Sequence, residues 1–166
     1  HTHSAPCMEP GVSQANDRYI KFASESIVDA ACRALENDAL WRNGRIRTGQ
    51  AFCSFSANRE LVISDEGKAI RRINTRGLND QTVRILQIID EKDRAEVTLF
   101  NYACHPVVLG FGNHVVSPDY PGKAREVIEA EWGGIAMFFN GAAGDINPIE
   151  EGKTYPKEAD DYGEIL

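Results

Sequence analysis

The sequence predicts an α/β fold, a mixed β-sheet with packed helices, formed as a single domain over residues 1–166. Three observations predict it. Ser13–Asn37 and the segment after Asp119 carry apolar residues at helical spacing. Val83–Ile89 and Ala95–Ala103 read as strands, and the polar turn Asp90-Glu91-Lys92-Asp93 between them makes a hairpin. Ile135–Asn140 is a continuously apolar run, which fits a buried central strand. Its carboxyl end leads into a Gly-rich turn, and that end is where open α/β sheets place ligands.

The elements follow in order. His1-Thr2-His3 reads as a strand, so its two imidazoles project from one side. Pro6, Pro10 and Gly11 mark a loop. Ser13 caps a helix whose apolar face is Ile20, Ala23, Ile27, Ala31 and Ala34. Asn43-Gly44 is a turn, and Arg45–Phe55 a strand. Gly67–Asn79 is polar, basic and Gly-punctuated, and reads as a loop. Ala95, Val97 and Leu99 alternate with Glu96 and Thr98, which predicts one buried and one solvated face. Pro121 at the first helical position, after Asp119 or Tyr120 as cap, opens the second helix. Its apolar face is Ala124, Val127, Ile128 and Trp132, and Gly133-Gly134 stops it. From Glu150 the chain is acidic and polar, and Tyr162–Leu166 reads as the first turn of another helix.

Composition excludes some functions. The net charge of −7, from 25 acidic and 18 basic residues, argues against non-specific nucleic-acid binding. No apolar run reaches the length of a membrane span. Cys7, Cys32, Cys53 and Cys104 are scattered without ligand spacing; three read as buried thiols, and their even number leaves a disulfide open.

Three separated pieces carry the chemistry: His1-Thr2-His3-Ser4, Asn101-Tyr102-Ala103-Cys104-His105-Pro106, and Gly141-Ala142-Ala143-Gly144-Asp145-Ile146-Asn147-Pro148. Two imidazoles on one side of a strand, plus a distant third, begin a zinc site. Each piece also has a plainer reading: a terminal histidine, a core histidine, and a turn rich in turn-formers. Asp145 is a candidate to orient an imidazole, or equally a turn-former bonding its own backbone. An imidazole, ordinarily titrating at about pH 6.5, suits a general acid for a leaving amine, and His3 is the candidate for that role.

Together with Asn58-Arg59 and Ser117-Pro118-Asp119-Tyr120-Pro121-Gly122, these pieces resemble, in order, the neutral/alkaline (non-lysosomal) ceramidase family. The likeness runs over nearly the whole chain, as a fragment of the N-terminal catalytic domain truncated at both ends. It implies a zinc-dependent amide hydrolase acting on a lipid or small N-acyl substrate, in an extracytoplasmic location. It implies that His1 and His105 bind Zn2+ and that His3 lies beside the metal. Arg59 then contributes positive charge near the reacting carbonyl; its plainer reading is a pair with a surface carboxylate. The family completes its zinc shell with a Glu and a Tyr that have no counterpart here. Where the family carries Gly-Asp-x-Ser-Pro, this chain has Asn147. Asn cannot act as an oxygen nucleophile, but its amide donates hydrogen bonds to a carbonyl or oxyanion.

Two other classes fit part of the pattern. His-x-His also opens phosphoesterase and other amidohydrolase sites, although phosphoesterases gather more carboxylates around two metals. A binding module on a degenerate hydrolase fold is the third reading, and Asn147 is the feature that supports it.

Overall fold

A computed structural model describes residues 3–37, 43–110, 112–149 and 156–166. They fall into two compact units, Ala5–Asn43 and a larger one of His1–Ser4 with Gly44–Leu166.

The smaller unit is built on α1 (Gln14–Glu36). Ser13 caps it as its sequence predicts, the hydroxyl accepting from Asn16 N at 3.1 Å. The Asp17 carboxylate accepts from Gly11 N at 2.9 Å and fixes the entering loop. Cys7 and Cys32 lie in this unit, both exposed; Cys53 and Cys104 are buried in the other, and no disulfide joins any of the four.

Among the described residues the larger unit holds two sheets. Strands β1 (Arg45–Phe52), β4 (Thr82–Ile89), β5 (Ala95–Tyr102) and β6 (Ile135–Asn140) form a mixed sheet in the order β1-β4-β5-β6. The predicted hairpin is the antiparallel pair β4–β5, and β6 runs parallel to β5. Strands β2 (Ser56–Ile63), β3 (Ala69–Asn74) and β7 (Ile146–Pro148) form a smaller antiparallel sheet in the order β3-β2-β7. Helix α2 (Tyr120–Trp132) starts at the Asp119 cap and stops at Gly133, whose φ of 75° suits glycine. Helix α3 spans Pro156–Ile165.

Several expectations change. The expected Gly67–Asn79 loop contains β3, because β2 offers an edge for a polar strand to pair with. The strand expected over Arg45–Phe55 ends at Phe52, and a second begins at Ser56. Residues 3–5 bend rather than extend, while His1 and Thr2 lie outside the described residues. Helix α3 begins at Pro156, six residues before the expected first turn at Tyr162. The predicted burial parity of β5 is inverted. Thr98, Phe100 and Tyr102 are buried, whereas Val97 and Leu99 are half-buried on the opposite face. Strand β6 is not central: among the described residues it is an edge strand, with Ile135, Met137 and Phe139 exposed. The reason is common to both corrections. This sheet is apolar on both faces, and among the described residues of this unit the face of Phe100, Ala136 and Phe138 is the one that packs on α2 and Leu166.

The core lies between the two sheets and the helices. Phe55, in the link between β1 and β2, touches the rings of Tyr102, Tyr120 and Tyr162 with centroids 5.0, 5.0 and 4.8 Å away. Cys53, Val83, Cys104, Val108 and Leu109 complete the cluster. At Gly163 the two helices approach so closely that a Cβ would meet Lys123 Cβ at 2.4 Å and Tyr120 O at 2.6 Å.

The Tyr102 hydroxyl is fully enclosed. It donates toward Cys53 O and lies 2.7 Å from both that carbonyl and Ser56 Oγ, while accepting from Ser56 N at 3.3 Å. Tyr102→Phe keeps the ring and strands these partners. We expect a loss of about 1–3 kcal/mol, read as a lower urea midpoint at unchanged slope. An unchanged midpoint would show that the hydroxyl does not join β2 to β5.

Candidate active site

The carboxyl ends of β5 and β6 build the site. Beyond Tyr102 the chain turns through Ala103, Cys104, His105 and Pro106. Helix α2 clamps this segment at both ends. Tyr120 Oη donates to Cys104 O at 2.8 Å, and the Asp119 carboxylate accepts from Val108 N at 3.3 Å and Leu109 N at 3.1 Å. Asp119 sits at φ 55°, unusual for a residue with a side chain, and also accepts from Tyr120 N at 2.8 Å. Burial raises its carboxyl pKa, opposed by these three backbone donors and by the charge of His3.

His105 is buried, and one carbonyl fixes it twice. Ile146 O accepts from its backbone N at 3.0 Å and contacts its ring Nδ1 at 3.2 Å. A carbonyl can only accept, so Nδ1 carries the proton and Nε2 the lone pair. Burial lowers the His105 pKa, and the charges of Arg59 and His3 act in the same direction; backbone contacts with Ile146 and Ala143 oppose them. Burial thus favours the neutral ring. The His3 ring lies beside it, centroids 5.6 Å apart at 64°. The neighbouring Ser4 is tied down by Ser117 N, which donates to its carbonyl at 2.8 Å, and by Asn113 Nδ2, which donates to its hydroxyl at 2.9 Å.

The Gly-rich turn leaves β6 with Gly141 N donating to Tyr102 O at 2.8 Å and re-enters as β7 against β2. Arg59 N donates to Asp145 O at 2.7 Å, and its guanidinium donates to Gly144 O at 3.1 Å. Asn58 Nδ2 donates to the Asp145 carboxylate at 2.7 Å. The Asp145 carboxylate thus bonds Asn58, and the Ile146 carbonyl orients the His105 ring. Asn147 is fully buried in β7, and neither its Oδ1 nor its Nδ2 has a partner among the described residues.

The structure brings His3, His105, Arg59, Asp145 and Asn147 to one turn. His1 lies outside the described residues. Among those described, no group of three or more His, Cys, Asp and Glu side chains stands ready to hold a metal. The tautomer of His105 does fit a metal-ligand imidazole, whose other nitrogen commonly bonds a carbonyl. Two contributors escape sequence reasoning. Ile146 acts through its backbone, which leaves no sequence signal. Asn58 stands beside Arg59 in the same short motif, and only the β2–β7 register shows that it faces the turn.

An α/β unit presenting a histidine pair and a Gly-rich turn at the carboxyl ends of its strands is the class defined so far. Solved structures that share this fold include two ceramidases. The neutral ceramidase from Pseudomonas aeruginosa matches with a TM-score of 0.64 at 19% identity, over 91% of this chain and 25% of that one. A ceramidase complexed with C2 matches with a TM-score of 0.65 at 20% identity, over 91% and 24% respectively. The likeness is one of fold, and the chain spans about a quarter of the length of these structures. By sequence, no protein-family profile and no curated protein matches.

Two expectations follow from the geometry. The unfolded chain takes a proton on histidine below about pH 6.5, while folded His105 resists it. The stability this position contributes is complete above that value and is lost as pH falls toward the lowered folded pKa. Urea unfolding of the metal-free chain should show this slope, and His105→Gln should flatten it; equal slopes would count against a neutral, buried ring. For Asn147→Ala, which removes two unpartnered polar atoms, we expect an unchanged or raised midpoint. A loss above about 2 kcal/mol, ordinary for core truncation, would show that the amide has partners.

Proposed function

We propose that this chain supplies part of the active site of a zinc-dependent hydrolase of N-acyl amide bonds. The observation that carries the reading is the His105 ring, with its Nδ1 on a carbonyl and set beside His3, on a chain with the ceramidase fold. His105 and His1 are the residues of this chain that would hold zinc. The family resemblance puts the remaining ligands outside it. When bound, zinc supplies Lewis-acid polarisation of a carbonyl and an activated water at neutral pH.

The chain's own groups do the rest. His3 sits close enough to His105 to serve a reacting group held there, and an imidazole can give a proton to the leaving amine near neutral pH. Arg59 reaches the turn from β2, and its charge is felt at His105. There it favours negative charge developing on the carbonyl oxygen. Asn147 offers an amide donor where the family carries a hydroxyl. It can stabilise an oxyanion but cannot attack, so the nucleophile in this reading is water. The substrate class is an N-acyl compound, lipid or small molecule. No helix among the described residues is long and apolar enough to cross a membrane. The resemblance points to an extracytoplasmic location.

The test is metal analysis with a panel of N-acyl substrates on the complete protein. We expect one zinc, no activity in His105→Ala, and a loss of about 10²–10³-fold in Asn147→Ala. Asn147→Ser, which restores the family hydroxyl, should raise ceramide cleavage. Full activity in His105→Ala would end the zinc amidase reading. Two metals would favour a phosphoesterase, and zinc without turnover a binding module. The 166-residue chain alone should hold zinc weakly and turn over no amide, because catalytic zinc sites usually have three protein ligands.

A further inference from the structure

We propose that Asn58 is a positioning residue, which holds the His105 ring in place through the Asp145-Ile146 turn. The inference rests on the reading of His105 as a working imidazole, but it concerns a property of the ring itself.

Asn58 lies in β2 and is buried. Its one amide nitrogen spends its two protons in opposite directions. It donates to the Asp145 carboxylate at 2.7 Å and to Leu78 O at 3.2 Å. Arg59, the next residue, takes Asp145 O and Gly144 O with its backbone and guanidinium. Two consecutive residues of one strand thus grip residues 144 and 145 by backbone and side chain. The following residue is Ile146, whose carbonyl receives both the amide and the ring of His105. A displacement of Asp145 is passed across one planar, stiff peptide unit to Ile146 Cα, which carries the acceptor carbonyl and is itself paired with Asn58 in the β2–β7 register.

The grip is braced from behind. At Gly77 an added Cβ would lie 2.5 Å from Asn58 Cγ and 2.6 Å from its Cβ and Oδ1. Residue 77 must therefore lack a side chain for Asn58 to stand where it reaches Asp145. Gly77 and Leu78 belong to the polar stretch between β3 and β4, so that stretch sets the angle of the Asn58 amide. Nothing in β2 itself requires an amide here, because β2–β7 pairing uses backbone groups alone. If Asn58 only secured a turn, its loss would lower stability and leave the His105 tautomer unchanged.

Imidazole ¹⁵N NMR of the metal-free whole chain near neutral pH separates the two. The wild-type His105 ring should show one tautomer, protonated on Nδ1, with His114 as internal control. Asn58→Asp sets two carboxylates face to face, and the ring should shift to the mixed-tautomer pattern of an unrestrained histidine. The swap Asn58→Asp with Asp145→Asn restores a donor–acceptor pair of reversed polarity. It leaves Leu78 O without its donor, so we expect lower stability than wild type with wild-type ring signals. Gly77→Ala keeps every polar group and should release the ring as Asn58→Asp does. If Asn58→Asp does not fold, Gly77→Ala decides, measured where most of the chain is folded. Wild-type ring signals in Asn58→Asp or Gly77→Ala overturn the proposal, as does a swap that leaves the tautomers mixed. The readout needs neither zinc nor substrate, so it fails or succeeds independently of the amidase reading.

Discussion

The Ile146 carbonyl accepts from both the amide and the ring of His105, and the rest of the site is arranged around that pair of hydrogen bonds. An imidazole on a loop ordinarily turns freely about two side-chain torsions. Here one oxygen fixes the loop backbone and the ring together. The same oxygen belongs to the first residue of β7, a strand of three residues, all buried. It thereby joins the small antiparallel sheet to the end of the mixed sheet. Gly141 N on Tyr102 O makes the matching connection at the other end of the turn. The turn is sewn to β5 on one side and to β2 on the other, and His105 is bonded to its far end through Ile146 O.

The core beneath supplies the stiffness. Tyr102 and Tyr120 place apolar rings against Phe55 and direct their hydroxyls to backbone carbonyls at the edge of the site. A buried tyrosine combines a large apolar body with one obligatory polar partner. Burial pushes both hydroxyls far above the ordinary tyrosine pKa, so they act as fixed donors. One secures Cys53 O at the approach to β2; the other secures Cys104 O, one residue before His105. Packing and hydrogen bonding thus converge on the same two backbone segments.

Much of this was legible in the sequence, and what was not has a physical reason. Caps, turns and helix stops are local chemistry, so Ser13, Asp119 and Gly133 announced their elements. The β4–β5 hairpin was legible because its turn is short and polar. Strand β3 was hidden because its pairing to β2 is tertiary, and a polar sequence does not advertise a partner strand. The β5 parity was misread because alternation identifies two faces without saying which is covered. On this sheet Ile46, Ile88, Val97 and Ile135 stand in one cross-strand row, and Leu86, Leu99 and Met137 in the next. Both faces are therefore apolar, as in sheets covered on both sides. The histidines and Arg59 were legible as chemistry. Asn58 and the Ile146 carbonyl were not, since their roles exist only once β2 and β7 are in register.

The polar groups of the site divide by how they are satisfied. Arg59, Asp145 and Asn58 satisfy one another or the turn, and their arrangement follows from folding. Asn147 is different. Leaving a buried amide unpaired costs about 1–3 kcal/mol for each unmet group, and both ends of this one lack partners among the described residues. The ladder between β7 and β2 uses backbone groups, and the flanking Ile146 and Pro148 are apolar, so the strand itself calls for no amide. An apolar residue of similar volume would serve the fold better. In the proposed amidase reading this buried amide, one residue after His105's acceptor in β7, is kept for a polar group of a substrate or transition state rather than for the fold.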